Sequence, residues 1–299
     1  MKAYIKGPRS CGVHDGSFHA DEVTAIALLL QAGLIDLDKV VRTRDENRLA
    51  ACDFVCDVGG VYDPSNRRFD HHQVDYEGRL SSAGMVLQYL KEHNFFSKEY
   101  ADYLDRTLVH GVDLIDIGAH KPDFGVCTFS GVIANFMPVS YESTNEELTD
   151  AFFEAVKFVY HFLIRSKDRF DYNLSCKEEV ELVMKTMKHC LVFDRPLAWL
   201  ETFFEMNGDQ HPAEFVIMPA GKNWKLRGIP PSYADRMKVR VPMPKLWAGL
   251  MNEELNNASK LSGGVFCHKE RFISIWETKE DALRAWKMIV QGEKCENNF

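Results

Sequence analysis

The stretch that decides the fold reads His14-Asp15-Gly16-Ser17-Phe18-His19-Ala20-Asp21-Glu22, and it follows the apolar run Cys11-Gly12-Val13. The apolar run predicts a short buried strand that ends at His14. A helix is predicted over residues 21–31, because Gly33 stands just past its end, where a glycine commonly closes a helix. The stretch therefore predicts a strand and a helix joined by a turn rich in histidine and carboxylate side chains.

Similar units follow along the chain. Strands are predicted over residues 39–43 and 53–57, and a helix over residues 81–90. Alternating strands and helices predict an α/β protein with a mostly parallel sheet flanked by helices. Ligands of such sheets bind beyond the carboxyl ends of the strands. His14 and Asp57 each stand at such an end, so this edge is the predicted functional site.

The chain beyond residue 97 is predicted to be mainly helical at first. One apolar stripe at helical spacing consists of Phe152, Phe153, Val156, Val159, Tyr160, Leu163 and Ile164. Helical character is predicted to continue over residues 175–190. Strands follow over 214–218 and 223–229, then a hairpin of 265–268 with 272–276, and a last helix capped by Thr278 and Asp281. We therefore predict two domains, residues 1–190 and a smaller α+β domain of residues 191–299 that closes over the cleft.

Composition limits the class of protein. Of 299 residues 45% are apolar, and the formal net charge of −8 opposes broad electrostatic attraction to nucleic acid. Bound metals could still hold phosphates, so a phosphoester substrate remains open. The longest apolar run, residues 25–30, is too short to span a bilayer, and residues 1–6 lack the features of a signal peptide. Eight cysteines without a CxxC pair predict free thiols. We expect a cytoplasmic protein without a membrane partner.

The clustered histidines and carboxylates predict a metal site. The spacing of His14, His19 and Asp21 across a strand-to-helix turn lets the three side chains converge on one point. Asp57 follows a neighbouring strand and could bridge two ions, and the tripeptide Asp70-His71-His72 adds a further ligand. Mixed nitrogen and oxygen ligands suit manganese, zinc, iron or cobalt better than calcium. A site for two divalent metals favours hydrolysis.

A series of motifs in fixed order resembles one known family. The series runs His14-Asp15-Gly16-Ser17-Phe18-His19-Ala20-Asp21-Glu22, Arg42-Thr43-Arg44-Asp45, Asp57-Val58-Gly59-Gly60-Val61-Tyr62-Asp63, Arg68-Phe69-Asp70-His71-His72-Gln73, Leu80-Ser81-Ser82-Ala83-Gly84, Val112-Asp113-Leu114-Ile115-Asp116-Ile117-Gly118, Gly263-Gly264-Val265-Phe266-Cys267-His268 and Thr278-Lys279-Glu280-Asp281-Ala282-Leu283. It resembles the MYG exonuclease family, which is related to the DHH phosphoesterases. The resemblance spans nearly the whole chain and implies a DHH-like catalytic domain with a C-terminal substrate-binding domain.

The resemblance also implies a ligand set for two metals. His14 and His19 would hold one ion, Asp21 and His71 the other, and Asp57 would bridge them. A carboxylate from either Asp113 or Asp116 would complete the second ion, and the sequence does not decide between the two. The cofactor is expected to be two divalent ions, with Mn²⁺ favoured over Zn²⁺, Fe²⁺, Co²⁺ or Mg²⁺.

Further residues are candidates for catalysis or substrate binding. His72 could contact the substrate or protonate the leaving oxygen, because an imidazole titrates near neutral pH. Arg42 and Arg44 lie two apart at a strand end and could clamp a phosphate, or instead pair with neighbouring carboxylates. Gly263 and Gly264 could let the backbone approach a phosphate beside His268, or serve only as a tight entry into a strand.

The residues by themselves support a two-metal phosphoryl hydrolase, and the resemblance implies 3′-to-5′ exonuclease action on RNA. Two rival functions stay open. The first is a phosphatase or pyrophosphatase for small nucleotides, which the scarcity of basic patches with interleaved aromatic residues favours. The second is a non-catalytic regulatory module whose metal is structural. The expected partners are RNA or a small phosphoester, and a homo-oligomer is possible.

Overall fold

The computed structural model describes residues 9–121, 123–140 and 142–296, with side chains up to residue 291. Residues 1–6, on which the absence of a signal peptide was predicted, and the Cys295 side chain lie outside this range. The seven described cysteines are free thiols. The chain forms two compact units, Met1–Phe170 and Asp171–Phe299, and each has its own sheet and core.

The first unit is built on a five-stranded sheet. Its strands are β1 (Cys11–Val13), β2 (Val40–Arg42), β3 (Phe54–Cys56), β4 (Tyr62–Asp63) and β5 (Arg68–Phe69). They run in the order β2-β1-β3-β5-β4, and every pair is parallel except β4 with β5. The central strands β1 and β3 are wholly buried, as expected for a parallel sheet covered on both faces.

Helices cover this sheet. They are α1 (Ala20–Gln31), α2 (Glu46–Ala50), α3 (Ser82–Glu92), α4 (Lys98–Leu104), α5 (His110–Asp116), α6 (Phe129–Ala134) and the long α7 (Asn145–Thr186). Helix α1 is apolar on nearly every side, so it is buried between β3 and the helices α3, α5 and α6. One π-helical turn, Asp105–Val109, joins α4 directly to α5. Such turns insert an extra residue into a helix.

The second unit carries a mixed sheet. Its strands are β6 (Cys190–Val192), β7 (Phe215–Ala220), β8 (Asn223–Gly228), β9 (Gly264–Cys267) and β10 (Ile273–Trp276), in the order β6-β7-β8-β10-β9. Its helices are α8 (Leu200–Glu205), α9 (Asn252–Ser259) and α10 (Lys279–Glu296). Helix α10 packs on one face of the sheet, over Leu226 and Trp276. The last turns of α7 pack on the other face, against Leu191 and Val216.

The α/β class and the mostly parallel first sheet are confirmed. The predicted strands before His14 and Asp57 are present, as are the C-terminal hairpin and the helix capped by Thr278 and Asp281. The predicted helical character over residues 175–190 is wrong at its end, because α7 stops at Thr186 and Cys190 opens β6. None of the described helices is long and apolar enough to cross a bilayer.

Two predictions about the organisation of the chain remain predictions. One is the domain boundary between residues 190 and 191, and the other is the closure of the C-terminal domain over the cleft. The strands β4 and β5 were not predicted from the sequence. Each has only two residues, which is too short to show a periodic pattern.

A glycine controls how closely α3 approaches α5. The Gly84 amide donates a hydrogen bond of 3.1 Å to Asp113 Oδ1, and a Cβ at this position would overlap the Asp113 carboxylate. We expect Gly84→Ala to lower the free energy of unfolding by about 1–3 kcal/mol, the usual cost of overpacking a core. Gly111→Ala is the matched control: a Cβ there meets no atom within 4 Å, so it should raise stability by about 0.5–1 kcal/mol. Urea denaturation of both variants tests this, and equal effects would contradict it.

Candidate metal centre

The turn after β1 orients the first imidazole. His14 Nδ1 lies 3.0 Å from the Asp15 carbonyl oxygen, to which it can donate a hydrogen bond. The other ring nitrogen, Nε2, is then left facing Glu22 Oε1 at 3.1 Å and Asp57 Oδ2 at 3.3 Å. A backbone carbonyl that fixes the ring in this way is the usual support of a metal-binding histidine.

The start of α1 supplies further donors. His19 precedes the helix, and its backbone amide donates to both oxygens of the Glu22 carboxylate at 3.0 Å. The Glu22 side chain is buried although it carries a carboxylate. His14, His19, Glu22 and Asp57 each present one ligand atom, and these four atoms lie within 4.8 Å of one another. They form what we call the first cluster.

A second cluster lies beside the first. His71 Nε2 is 3.1 Å from Asp116 Oδ2 and 3.8 Å from Asp21 Oδ2, and the ligand atoms of these three residues lie within 4.8 Å of one another. His71 Nε2 is also 3.4 Å from Asp57 Oδ1. Three carboxylates therefore face a single imidazole nitrogen.

Asp57 connects the two clusters. Its Oδ2 faces His14 and its Oδ1 faces His71, so the two oxygens of one carboxylate point to different clusters. Its backbone has φ of 57°, a left-handed conformation that is uncommon outside glycine. Among the described residues, buried Asp57 Oδ1 and His71 Nε2 have no hydrogen-bond partner of good geometry. Buried polar atoms without partners suit a bound cation, so the donor set fits two divalent metals.

The buried imidazoles and carboxylates of the site shift one another's pKa values. Burial lowers the pKa of His14, but the carboxylates of Asp57 and Glu22 outweigh burial and raise it to about 10. The pKa of His71 is raised to about 10 by Asp116 and Asp57, again against burial. For Asp57, burial raises the pKa, but the two imidazoles lower it to about 2. Burial raises the pKa of Asp21, and the neighbouring Asp57 and Asp116 add to this effect.

The structure separates Asp113 from Asp116. Asp116 belongs to the second cluster, whereas Asp113 Oδ1 accepts hydrogen bonds from the Ser81 and Gly84 amides at 3.1 Å. The Ser81 hydroxyl lies 2.7 Å from Asp113 Oδ1 and 2.5 Å from Asp21 Oδ1. One hydroxyl carries one hydrogen, so Ser81 can donate to only one of these two carboxylates at a time. Burial raises the pKa of Asp113 to about 6.

The N-terminus of α3 completes the support of Asp21. The amides of Ser82 and Ala83 donate to the two Asp21 oxygens at 3.0 and 2.6 Å. A helix N-terminus stabilises a carboxylate at this position. Asp21 is thus fixed by a hydroxyl and two amides, while its edge toward His71 is left for a ligand.

His72 lies at the rim of the site, where the buried Asp70 holds it. Asp70 Oδ1 accepts hydrogen bonds from the His72 amide at 3.1 Å and from His72 Nδ1 at 2.8 Å, and Asp70 Oδ2 accepts one from the Gly60 amide at 2.6 Å. The His72 side chain is 63% exposed. It lines both clefts at the clusters, of about 750 and 470 Å³.

The two predicted phosphate-binding arginines lie apart. Arg44 lines the larger cleft, with its Nε 3.3 Å from Asp15 Oδ1. Arg42 lines neither cleft. Its guanidinium donates to the Gly16 carbonyl oxygen at 2.5 Å and lies 4.8 Å from the centre of the Phe152 ring. Arg42 therefore supports the turn after His14 through the Gly16 carbonyl, and a phosphate clamp formed by both arginines remains a prediction.

The C-terminal candidates belong to a turn and a hairpin of the second unit. Gly263 has φ of 76°, and a Cβ there would overlap the Asp281 carboxylate. The Gly264 amide donates to Asn256 Oδ1 at 2.7 Å, and His268 Nδ1 accepts from the Glu270 amide at 3.1 Å. These contacts account for all three residues as a tight entry into β9 and a hairpin turn, and their substrate role remains a prediction.

Glu22 is the one cluster member that the sequence did not reveal. The sequence pattern instead predicts its neighbour Asp21 as the acidic ligand of this turn. The available signal was a second carboxylate in a helix that is otherwise apolar on all sides, three residues after His19.

The charge network predicts how stability depends on pH once metals are stripped. The pKa of both His14 and His71 is raised from 6.5 to about 10, so their protonation stabilises the fold fully below pH 6.5 and is lost as the pH rises toward 10. In a chelator, the urea midpoint should therefore fall between pH 6.5 and 10. The double variant His14→Gln/His71→Gln should lose most of this dependence. A midpoint that rises over this range would contradict the assignment.

The Ser81 contact predicts an effect on metal affinity. Ser81→Ala removes the hydroxyl between Asp21 and Asp113, so the affinity for one of two bound Mn²⁺ ions should fall about 10- to 100-fold, the usual effect of losing a support of a metal ligand. Titration calorimetry measures this directly. Ser143→Ala, in an exposed loop, is the control and should bind as the wild type does. Equal affinities in all three proteins would show that Ser81 does not position Asp21.

Known proteins resemble this chain over nearly its whole length. A family model, MYG1 exonuclease, described as uncharacterised protein family UPF0160, matches residues 10–289. The MYG1 protein of Chlamydia pneumoniae is 50% identical over 285 residues, covering 95% of this chain and 97% of the relative. The MYG1 exonuclease of Homo sapiens is 26% identical, covering 94% of this chain and 86% of the relative.

One solved structure with a loose likeness is RecJ from Thermus thermophilus in complex with Mn²⁺. It has 13% sequence identity and a TM-score of 0.29, covering 97% of this chain. The chain spans about half the length of that RecJ chain, 52%. The family match extends from β1 into α10 and so includes every residue of both clusters. On this match the chain belongs to the MYG1 exonuclease family.

Proposed function

We propose that the chain is a metal-dependent phosphodiester hydrolase that removes nucleotides from the 3′ end of RNA. The observation that carries the proposal is the position of Asp57, whose two carboxylate oxygens face two clusters of nitrogen and oxygen donors. Relatives in the family are named exonucleases, which supports a nucleic-acid substrate. RNA, rather than DNA, and the 3′-to-5′ direction follow from the family resemblance of the sequence motifs.

The two clusters would hold one metal ion each. His14, His19 and Glu22 would hold the first ion, Asp21, His71 and Asp116 the second, and Asp57 both. A pair of bound divalent ions lowers the pKa of a water and stabilises the displaced phosphate oxygens. Imidazole and carboxylate donors suit Mn²⁺, which we propose as the cofactor, with Zn²⁺, Fe²⁺ and Co²⁺ as alternatives.

His72 is placed to handle a proton. Its Nδ1 donates to Asp70, which leaves Nε2 free to hold or release a proton. The exposed ring lines both clefts, so an incoming strand can reach it. We propose that His72 donates a proton to the leaving oxygen from Nε2.

The rim of the larger cleft offers a cation for the substrate. Arg44 is exposed and lies 3.3 Å from Asp15, a surface ion pair that costs little to exchange for a phosphate. A guanidinium can hold two phosphate oxygens at once. We propose that Arg44 binds a phosphate of the substrate and that Arg42, beneath the turn, does not.

The bridging carboxylate is the sharpest test of this function. Asp57→Asn keeps the size of the side chain but removes the charge that both clusters share. We expect Mn²⁺-dependent release of nucleotides from a 5′-labelled oligoribonucleotide to fall more than about a hundredfold, since losing even a support of a metal ligand costs 10- to 100-fold. Asp75→Asn, the same change at an exposed position, is the control and should keep full activity.

The rival functions give different outcomes in the same assay. A small-nucleotide phosphatase would hydrolyse dinucleotides or pyrophosphate and leave the oligoribonucleotide intact. A regulatory module with a structural metal would hydrolyse neither, and Asp57→Asn would unfold, which circular dichroism detects. Intact oligoribonucleotide with the wild-type protein and Mn²⁺ would refute the proposed exonuclease.

A further inference from the structure

Two cations stand side by side on the sheet of the second unit. Lys225 and Arg227 are two residues apart on β8, so their side chains leave the same face of the sheet. In the paired strands, Ile275 lies opposite Lys225 and Ile273 lies opposite Arg227. Helix α10 packs on the other face, over Leu226, which separates the two cations in sequence.

An aromatic side chain extends the same face. Phe266 on β9 lies opposite Ile275, so Phe266, Ile275 and Lys225 form one row across three strands. Each of the three is half-buried. We call the face formed by Lys225, Arg227, Phe266, Ile273 and Ile275 the basic sheet face.

The two cations have no counter-ion in the described part of the chain. No carboxylate there lies within ion-pair distance of Lys225 or Arg227, and the buried Nε of Arg227 has no hydrogen-bond partner. By contrast, Lys279 of the same unit pairs with Asp194 at 2.5 Å. Burial lowers the pKa of Lys225 and of Arg227, and the proximity of Arg227 lowers that of Lys225 further.

This arrangement has a cost that an anion would offset. Half-burying two like charges without a partner opposes folding, because both lose hydration and repel each other. The chain has 44 acidic residues, yet none of those described is placed to neutralise this pair. The free energy is recovered when a negatively charged group binds between the two side chains.

We infer that the basic sheet face binds the phosphate backbone of a single-stranded RNA, with the apolar row of Phe266 and Ile275 in contact with its bases or riboses. The inference rests on the proposed function, since it takes the anion to be part of an RNA strand. Two cations along one strand of the sheet suit successive phosphates. An adjoining aromatic ring suits an unpaired base, whereas a lone phosphate needs no apolar contact.

The test measures binding apart from hydrolysis. A fluorescein-labelled oligoribonucleotide with phosphorothioate linkages is titrated with the full chain in Mn²⁺, and anisotropy gives the Kd at several salt concentrations. Lys225→Gln and Arg227→Gln should each weaken binding about tenfold or more. Each should also reduce the slope of log K against log salt by about 0.7, the value for one phosphate contact on a single strand. Phe266→Ala should weaken binding without changing this slope.

Matched controls separate binding from folding. Lys222→Gln lies in the exposed turn between β7 and β8 and should leave both Kd and slope unchanged. The thermal midpoints of Lys225→Gln and Arg227→Gln should equal or exceed that of the wild type, because each change removes an unpaired half-buried charge. Lower midpoints with an unchanged Kd would show that the two cations are structural, and would overturn the inference.

Three further outcomes are decisive. Competition by inorganic phosphate at the concentration of oligoribonucleotide phosphates would show that the pair binds a lone phosphate, which would also overturn the inference. If the wild type hydrolyses no oligoribonucleotide but the variants still lose affinity and salt dependence, the proposed function fails and the binding face stands. If hydrolysis occurs and all variants bind equally, the binding face fails and the proposed function stands.

Discussion

The first unit depends on one carboxylate held between two imidazoles. Asp57 stands at the end of a buried strand, and its left-handed backbone aims one oxygen at His14 and the other at His71. Neither imidazole could be buried there uncharged and unpaired without cost, and the carboxylate alone would lose its hydration. The charge of Asp57 stabilises the burial of both imidazoles, and their charge stabilises the burial of Asp57. The strand order of the sheet, which puts β1 beside β3 and β3 beside β5, is what brings these three side chains to one edge.

Much of the surrounding fold keeps this edge in position. Asp21 is held by the first turn of α3, and α3 is held against α5 by the contact of Gly84 with Asp113. The hydroxyl of Ser81 connects the two carboxylates. Hydrogen bonds from the start of α3 therefore both hold Asp21 and pack α3 on α5, so a change in this packing reaches Asp21 within one hydrogen bond.

The sequence predicted the ends of the strands before His14 and Asp57, because a short apolar run that stops at histidine or aspartate is typical of a buried strand ending at a site. It could not choose between Asp113 and Asp116, since that choice depends on how far the preceding helix is rotated. It could not show that Arg42 packs on Phe152, a residue more than a hundred positions later. The sequence did not predict Glu22 as a cluster member, because only its burial distinguishes it from an ordinary glutamate in the first turn of a helix. Long-range contacts account for each of these failures.

The π-helical turn Asp105–Val109 changes the rotation of α5 about its axis, and for this reason the sequence did not show which of its two aspartates faces the clusters. One extra residue in a helix turns everything after it by about 100° around the axis. Without it, Asp113 and Asp116 would each be turned by about 100° from their present directions, and neither would meet its present neighbour. Insertions or deletions of a single residue within Lys98–Leu104 or this turn should therefore be far less tolerated than substitutions there. The number of residues in α4 and the π-helical turn sets the rotation of α5 about its axis, so the length of this segment matters more than its composition.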